Sequence, residues 1–139
     1  MINTVFIALG SNIGDRDAYI NKAIKCLGEH DDIDIDKVSK IIETKAVSVV
    51  SQPDFLNAVV SLKTLLNVRQ FFELSKKIEK DLGRTSKGNQ DPRTIDIDIL
   101  FFNDEVISDD DLVIPHPLLH QREFVLKPFL DIAPDFTHP

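Results

Sequence analysis

Residues 4–9, Thr-Val-Phe-Ile-Ala-Leu, carry β-branched and apolar side chains on both faces of an extended chain, which predicts a central strand ended by the turn Gly10-Ser11-Asn12. From Asp15 to Leu27 the spacing changes: Ala18, Ala23, Ile24 and Leu27 fall near helical intervals, and Gly28 supplies a stop. Ile33, Ile35, Val38, Ile41 and Ile42 then predict a strand whose alternation slips near Lys37, as at a bulge or an irregular edge. Between Asp31 and Asp36 the acids alternate with isoleucines instead of converging, so they are expected to be the charged cover of an edge strand and not metal ligands. After turn chemistry at Ser51-Gln52-Pro53-Asp54, Phe55 to Thr64 forms the next strand, with Phe55, Asn57 and Val59 on one face.

Asn67 is placed to cap a second helix in which Val68, Phe71, Phe72, Ser75, Ile78 and Leu82 make one stripe and Gly83 ends the run. Gly88 to Pro92 is a polar loop, and Thr94 to Phe102 is the most pronounced strand in the chain. A short strand around Val106 is expected to pair back onto it across the turn Asn103-Asp104, and a further loop begins at Asp109-Asp110-Asp111. Four prolines punctuate residues 115–134, where a short helix from Glu123 to Ile132 starts or kinks at Pro128. The order βαββαβ, without repeat or linker, predicts a single α+β domain over residues 1–139. Its expected form is a ferredoxin-like sandwich, with a mainly antiparallel sheet, helices on one face and extra C-terminal elements.

Composition narrows the class. With 42% hydrophobic and 28% charged residues among 139, the chain is neither disordered, collagen-like nor coiled-coil. Its apolar runs stop far short of a membrane span, and Met1-Ile2-Asn3-Thr4 runs straight into strand pattern instead of a leader, so a cytoplasmic protein without membrane partners is expected. The single cysteine, Cys26, cannot pair within the chain and is expected to be a small buried hydrophobe on the first helix. A net charge of −7 opposes wrapping of a nucleic-acid backbone. It leaves room for a small anion, because Arg84, Lys87 and Arg93 gather positive charge around one loop.

Chemistry concentrates where that loop meets the strand. A period of two places Ile95, Ile97, Ile99 and Phe101 on one face and Asp96, Asp98, Leu100 and Phe102 on the other. The two carboxylates, roughly 6.5 to 7 Å apart along the backbone, are spaced to bridge hard cations that lie about 3.5 to 4 Å apart in two-metal sites. Alternatively they lie at an exposed strand end, or form structural ion pairs with Arg84 and Arg93. Acids for metal and guanidiniums for phosphate oxygens together suggest nucleotide chemistry. Three classes stay open on the residues alone: a phosphoryl-transfer enzyme, a metal-dependent phosphoesterase, and a ferredoxin-like binding or regulatory module. His116, between prolines, is either a surface residue or a phosphate contact. Phe55 and Phe124 are either core residues or platforms for a flat ring, whose donor and acceptor pattern Asn57 could read.

As a set, these residues resemble the 6-hydroxymethyl-7,8-dihydropterin pyrophosphokinase family of the folate pathway. The resemblance runs over essentially the whole chain. It is carried by Ala8-Leu9-Gly10-Ser11-Asn12-Ile13-Gly14-Asp15, Gln52-Pro53-Asp54-Phe55-Leu56-Asn57, Pro92-Arg93-Thr94-Ile95-Asp96-Ile97-Asp98-Ile99, Val113-Ile114-Pro115-His116-Pro117 and Arg122-Glu123-Phe124-Val125-Leu126. It implies transfer of the β,γ-pyrophosphoryl group of ATP to the pterin hydroxymethyl oxygen, with release of AMP. Asp96 and Asp98 would hold two Mg²⁺, and Asp96 would also face the pterin. Arg84 and Arg93 match the loop arginines, and His116 and Arg122 match further triphosphate contacts. Ile99, Lys76 and Glu79 match nucleotide-side or site-supporting positions. The pterin would stack between Phe55 and Phe124, hydrogen-bonded by Asn57 and Thr44 and by backbone groups near Lys45 and Val47. Departures from the family pattern fall at Asn89-Gln90-Asp91 and Ser48-Val49-Val50, and the chain stops at Pro139, earlier than many relatives. The resemblance thus implies a monomer that works alone, within a fusion or beside other folate enzymes. Its loops 45–52 and 84–91 are expected to reorder when Mg²⁺ and ATP bind.

Overall fold

The computed structural model describes residues 2–11, 14–44, 55–83, 95–115 and 132, with the side chains of Thr44 and Phe55 excepted. Among these residues seven strands and two helices follow in the order β1 (Asn3–Ser11), α1 (Arg16–Gly28), β2 (Ile33–Val38), β3 (Ile42–Thr44), β4 (Phe55–Thr64), α2 (Val68–Asp81), β5 (Asp96–Phe102), β6 (Ile107–Ser108) and β7 (Val113–Ile114). The main sheet has the order β2-β4-β1-β5, with β3 continuing beside β4, and every pairing is antiparallel. This is the ferredoxin-like arrangement expected from the element order.

Both helices cover one face. Val5, Ile7 and Leu9 of β1, Ala58, Val60 and Leu62 of β4, and Ile97, Ile99 and Phe102 of β5 pack with Ile20, Ala23 and Leu27 of α1 and Phe71 and Ile78 of α2. Ile20 joins this cluster although the sequence stripe used Ala18. Among the described residues, five further buried apolar residues lie outside it, Ala8, Val59, Leu100, Phe101 and Ile132. Among the described residues no helix is long and apolar enough to cross a membrane.

The helix ends show how local chemistry sets the boundaries. Asp15 caps α1 by accepting from the Ala18 amide at 3.1 Å, while Glu29, not a left-handed glycine, closes it in right-handed helical geometry. Gly28 is therefore the last helical residue, not the stop expected from sequence. Asn67 and Gln70 form a reciprocal capping box on α2, and Gly83 follows its end with φ +96°. Replacing Asn67 with Ala is expected to cost about 1 kcal/mol, read as a shift in the denaturant midpoint at unchanged m.

Four expectations from the sequence are corrected. Cys26 is exposed, because its position on α1 lies off the stripe that faces the sheet. The second strand is two strands. Its bulge does fall between Ile35 and Lys37, but the ladder breaks again at Ser39, whose Oγ accepts from the Val59 amide at 2.8 Å and donates to the Lys40 carbonyl at 2.9 Å. The alternation along β5 reverses at Leu100. Ile7 pairs with Ile99 and Phe6 with Phe101, so one residue of β5 is extra and Phe102 turns to the helical face with the isoleucines. Phe101 instead meets Phe6 edge-on, with ring centroids 6.3 Å apart. Lastly, Val106 forms no strand with β5 and is 74% exposed. The turn at Asn103 does form, with φ +50° and its side chain held by Thr4 and Asn3. Ile107 then pairs with Ile114 in a separate hairpin, which buries Leu112 and Ile114 in the main core. The short helix expected over residues 123–132 lies outside the described residues apart from Ile132.

Candidate active site

The sheet face away from the helices carries the residues with chemistry. Gly10 pairs with Asn57 on one side and Asp96 on the other, and Ala8 pairs with Val59 and Asp98. Directly opposed residues of antiparallel strands point the same way, so Asn57, Asp96 and Asp98 share this face. The two neighbours of the carboxylates on β1 are the smallest residues available. Gly10 puts no side chain between Asn57 and Asp96, which stand two strand spacings apart, roughly 10 Å. Asn57 is only 7% exposed and both aspartates are half-buried.

The strand holding the aspartates is fixed from the side. Among the described residues β5 is outermost in its sheet, and an outer strand has amides that no neighbouring strand satisfies. Glu79 of α2, 3% exposed, accepts from the Ile97 amide at 2.7 Å through Oε2, and its Oε1 meets Lys76 Nζ at 3.4 Å. The Glu79 carboxylate is thus committed to the backbone between Asp96 and Asp98. Of the two roles open for it in the sequence, site support is the one this geometry favours.

Beside that strand is a cavity of about 240 Å³, lined by Phe72 and Lys76 of α2, residues 97–99 of β5, and residues 110–113. Lys76 and Ile99, nucleotide-side or site-supporting in the sequence reading, therefore meet Asp98 around one space. Phe72, Asp110, Asp111, Leu112 and Val113 were not among the expected site residues. Phe72 reads in the sequence as one more core position on the helix stripe, and nothing in chain spacing brings residues 110–113 to α2.

Thr44 pairs with Phe55 at the start of the β3–β4 ladder, two positions from Asn57. Lys45, Val47, Arg84, Arg93, His116, Arg122 and Phe124 lie outside the described residues, as do the loops 45–52 and 84–91. Among the described residues no group of three or more His, Cys, Asp and Glu side chains converges. Two carboxylates still suit Mg²⁺, which keeps much of its water, shares phosphate oxygens with its substrate and takes only one or two protein carboxylates.

Fold and site together define a ferredoxin-like α+β domain with an acidic, oxygen-donor site on the sheet face away from the helices and a half-polar cavity at the sheet edge. Known proteins make the class particular. The sequence pattern described as 7,8-dihydro-6-hydroxymethylpterin-pyrophosphokinase (HPPK) matches residues 6–134, and the chain belongs to that family. It is 46% identical over 133 residues to the 2-amino-4-hydroxy-6-hydroxymethyldihydropteridine pyrophosphokinase of Bacillus subtilis (strain 168), covering 96% of this chain and 80% of that protein. Against the Bifunctional protein FolKE of Lactococcus lactis subsp. cremoris (strain MG1363) identity is 40%, over 99% of this chain but 40% of that protein, so there the match is to one part of a fusion. Among solved structures, Plasmodium falciparum HPPK-DHPS with pteroate superposes with a TM-score of 0.76 at 19% identity, covering 99% of this chain and 40% of that one, a likeness of fold.

Proposed function

We propose that residues 1–139 act as one pyrophosphokinase domain that transfers the pyrophosphoryl group of ATP to the hydroxymethyl group of 6-hydroxymethyl-7,8-dihydropterin, giving AMP and the pterin diphosphate. The observation that carries this reading is the row Asn57, Gly10, Asp96, with Asp98 alongside Ala8 and the cavity beyond. A flat heterocycle lies above Gly10, with Asn57 facing its edge. Phe55 on one side and Phe124 on the other supply stacking platforms, and Thr44 with the backbone near Lys45 and Val47 completes the pterin subsite.

The nucleotide takes the other side of the aspartates. Its base and ribose occupy the cavity against Ile99 and Lys76, and Arg84, Arg93, His116 and Arg122 hold the triphosphate oxygens. Asp96 and Asp98 would hold two Mg²⁺, which when bound neutralise triphosphate charge and orient the chain of phosphates. The pterin hydroxyl oxygen attacks the β-phosphorus, giving up its proton to solvent, while the bond from that phosphorus to the α-phosphate bridging oxygen breaks. The β,γ unit therefore moves whole, and AMP leaves. No side chain is needed as a nucleophile, so the protein's contribution is alignment of two substrates and electrostatic stabilisation.

Incubation with ATP, Mg²⁺ and the pterin, followed by chromatography, tests the reading. AMP is expected in step with pterin diphosphate, and only when Mg²⁺ is present. Release of ADP or phosphate without pterin diphosphate would point instead to a phosphoesterase, and ligand binding without products to a module that does no chemistry.

A further inference from the structure

The cavity is an awkward neighbour for a polyanion. Its far rim is formed by consecutive acids, Asp110 and Asp111, with Asp109 next in the chain, and Asp98 stands on the near side. One residue of α2 pairs with two of those four carboxylates. Arg69 Nη1 lies 2.8 Å from Asp111 Oδ2 and Nη2 lies 2.9 Å from Asp109 Oδ2, a forked pair of ion pairs from one guanidinium to two carboxylates. The Arg69 guanidinium also sits 5.5 Å from the Phe72 ring centroid, and Lys76 Nζ sits 5.2 Å from the same ring. Two cations thus bracket the aromatic wall of the cavity, and the first of them anchors the acidic wall opposite.

A single exposed ion pair contributes little to stability. Arg69 is 44% exposed, so the effect expected of it is local: where the rim sits and what potential it presents. The segment it grips is tethered by little backbone pairing, since β6 and β7 are two residues each and the turn between them closes through Asp109 N donating to Leu112 O at 3.0 Å. Released from Arg69, three neighbouring aspartates would repel one another and any phosphate nearby.

We propose that Arg69 is a positioning residue for the nucleotide, holding the 109–113 rim in place and offsetting part of its charge, so that a nucleotide whose triphosphate lies nearby can seat its base and ribose in the cavity. The inference rests on the nucleotide reading of the cavity, and its signature is a change in nucleotide affinity with little change in the chemical step. For Arg69→Ala, KM for ATP should rise about tenfold while kcat changes less than twofold. The dissociation constant of α,β-methylene-ATP with Mg²⁺, measured by calorimetry, should rise by a similar factor, since that analogue cannot react at the bond that breaks. Adding Asp109→Asn and Asp111→Asn to Arg69→Ala should return affinity most of the way, because the unpaired charge is then gone. Arg69→Lys should be intermediate, one ammonium being unable to fork to two carboxylates. Unchanged analogue affinity in Arg69→Ala, with wild-type protein binding normally, overturns the proposal and leaves the enzyme assignment intact. Failure of wild-type protein to bind the analogue overturns both. A loss of affinity that the double Asn change does not repair would also overturn the charge argument.

Discussion

Replacing either Asp96 or Asp98 with Asn is expected to lower the rate of AMP formation by about a thousandfold or more, with the folded state left as stable as before. Metal-borne charge neutralisation is worth several kcal/mol in a transition state, and about 4 kcal/mol corresponds to three powers of ten in rate. Asn keeps the shape and some ligating ability of the side chain but removes the charge that holds a divalent cation. Neither aspartate belongs to the buried cluster between sheet and helices, so their replacement leaves the core packing unaltered. Melting temperatures of both variants should therefore stay within a few degrees of the parent, while raising Mg²⁺ should recover only a little activity. Retained activity together with a large drop in melting temperature would mean that the carboxylates are structural, the alternative that their spacing alone leaves open.

Much of this arrangement is legible in the residues because it follows from short-range periodicity. The antiparallel order, the cap at Asn67, the bulge near Lys37 and the edge position of the acid-rich β2 all come from patterns that local chemistry enforces. The Asp96 and Asp98 pair is equally visible, since both lie before the irregularity on β5. What lies after it is not. A strict period of two puts Phe101 with the isoleucines and Phe102 with the aspartates, whereas the extra residue near Leu100 exchanges them. Nothing in a run of large apolar residues marks which one is extra, because either assignment buries the same groups. The exposure of Cys26 escapes for a related reason: a small side chain near the border of a helix stripe carries too weak a preference to choose its side. Contacts between distant segments are hidden for a different cause. Arg69 meets residues 40 and 42 positions further on, a pairing that depends on where the β6–β7 hairpin docks. The same docking replaces the expected pairing of Val106 with β5, since a hairpin that buries Leu112 and Ile114 removes more apolar surface than an exposed Val could.

Glu79→Ala is expected to cost about 2 to 3 kcal/mol of stability and, separately, to slow turnover by roughly a hundredfold. The stability loss has a definite origin. Glu79 Oε2 takes the Ile97 amide at 2.7 Å in a buried setting, and a hydrogen bond to a charged group contributes about 1.5 to 3 kcal/mol, with an orphaned amide left behind when the acceptor goes. Removing a buried charge returns its desolvation cost, which argues the other way, but Ala supplies neither an acceptor nor the volume to reseal the site. Lys76, 47% exposed, loses a partner and keeps its water, so it adds little to the balance. The rate effect follows from place, not strength. Ile97 lies between Asp96 and Asp98, so a β5 edge freed from α2 lets both carboxylates drift, and a displacement near 1 Å can cost about a hundredfold. Glu79→Gln separates support from direct participation. Its side-chain carbonyl can still accept from the Ile97 amide, so both stability and kcat should recover to within a few-fold of the parent enzyme. If Glu79→Gln folds normally yet is as slow as Glu79→Ala, the carboxylate acts on the nucleotide itself and the support role is wrong.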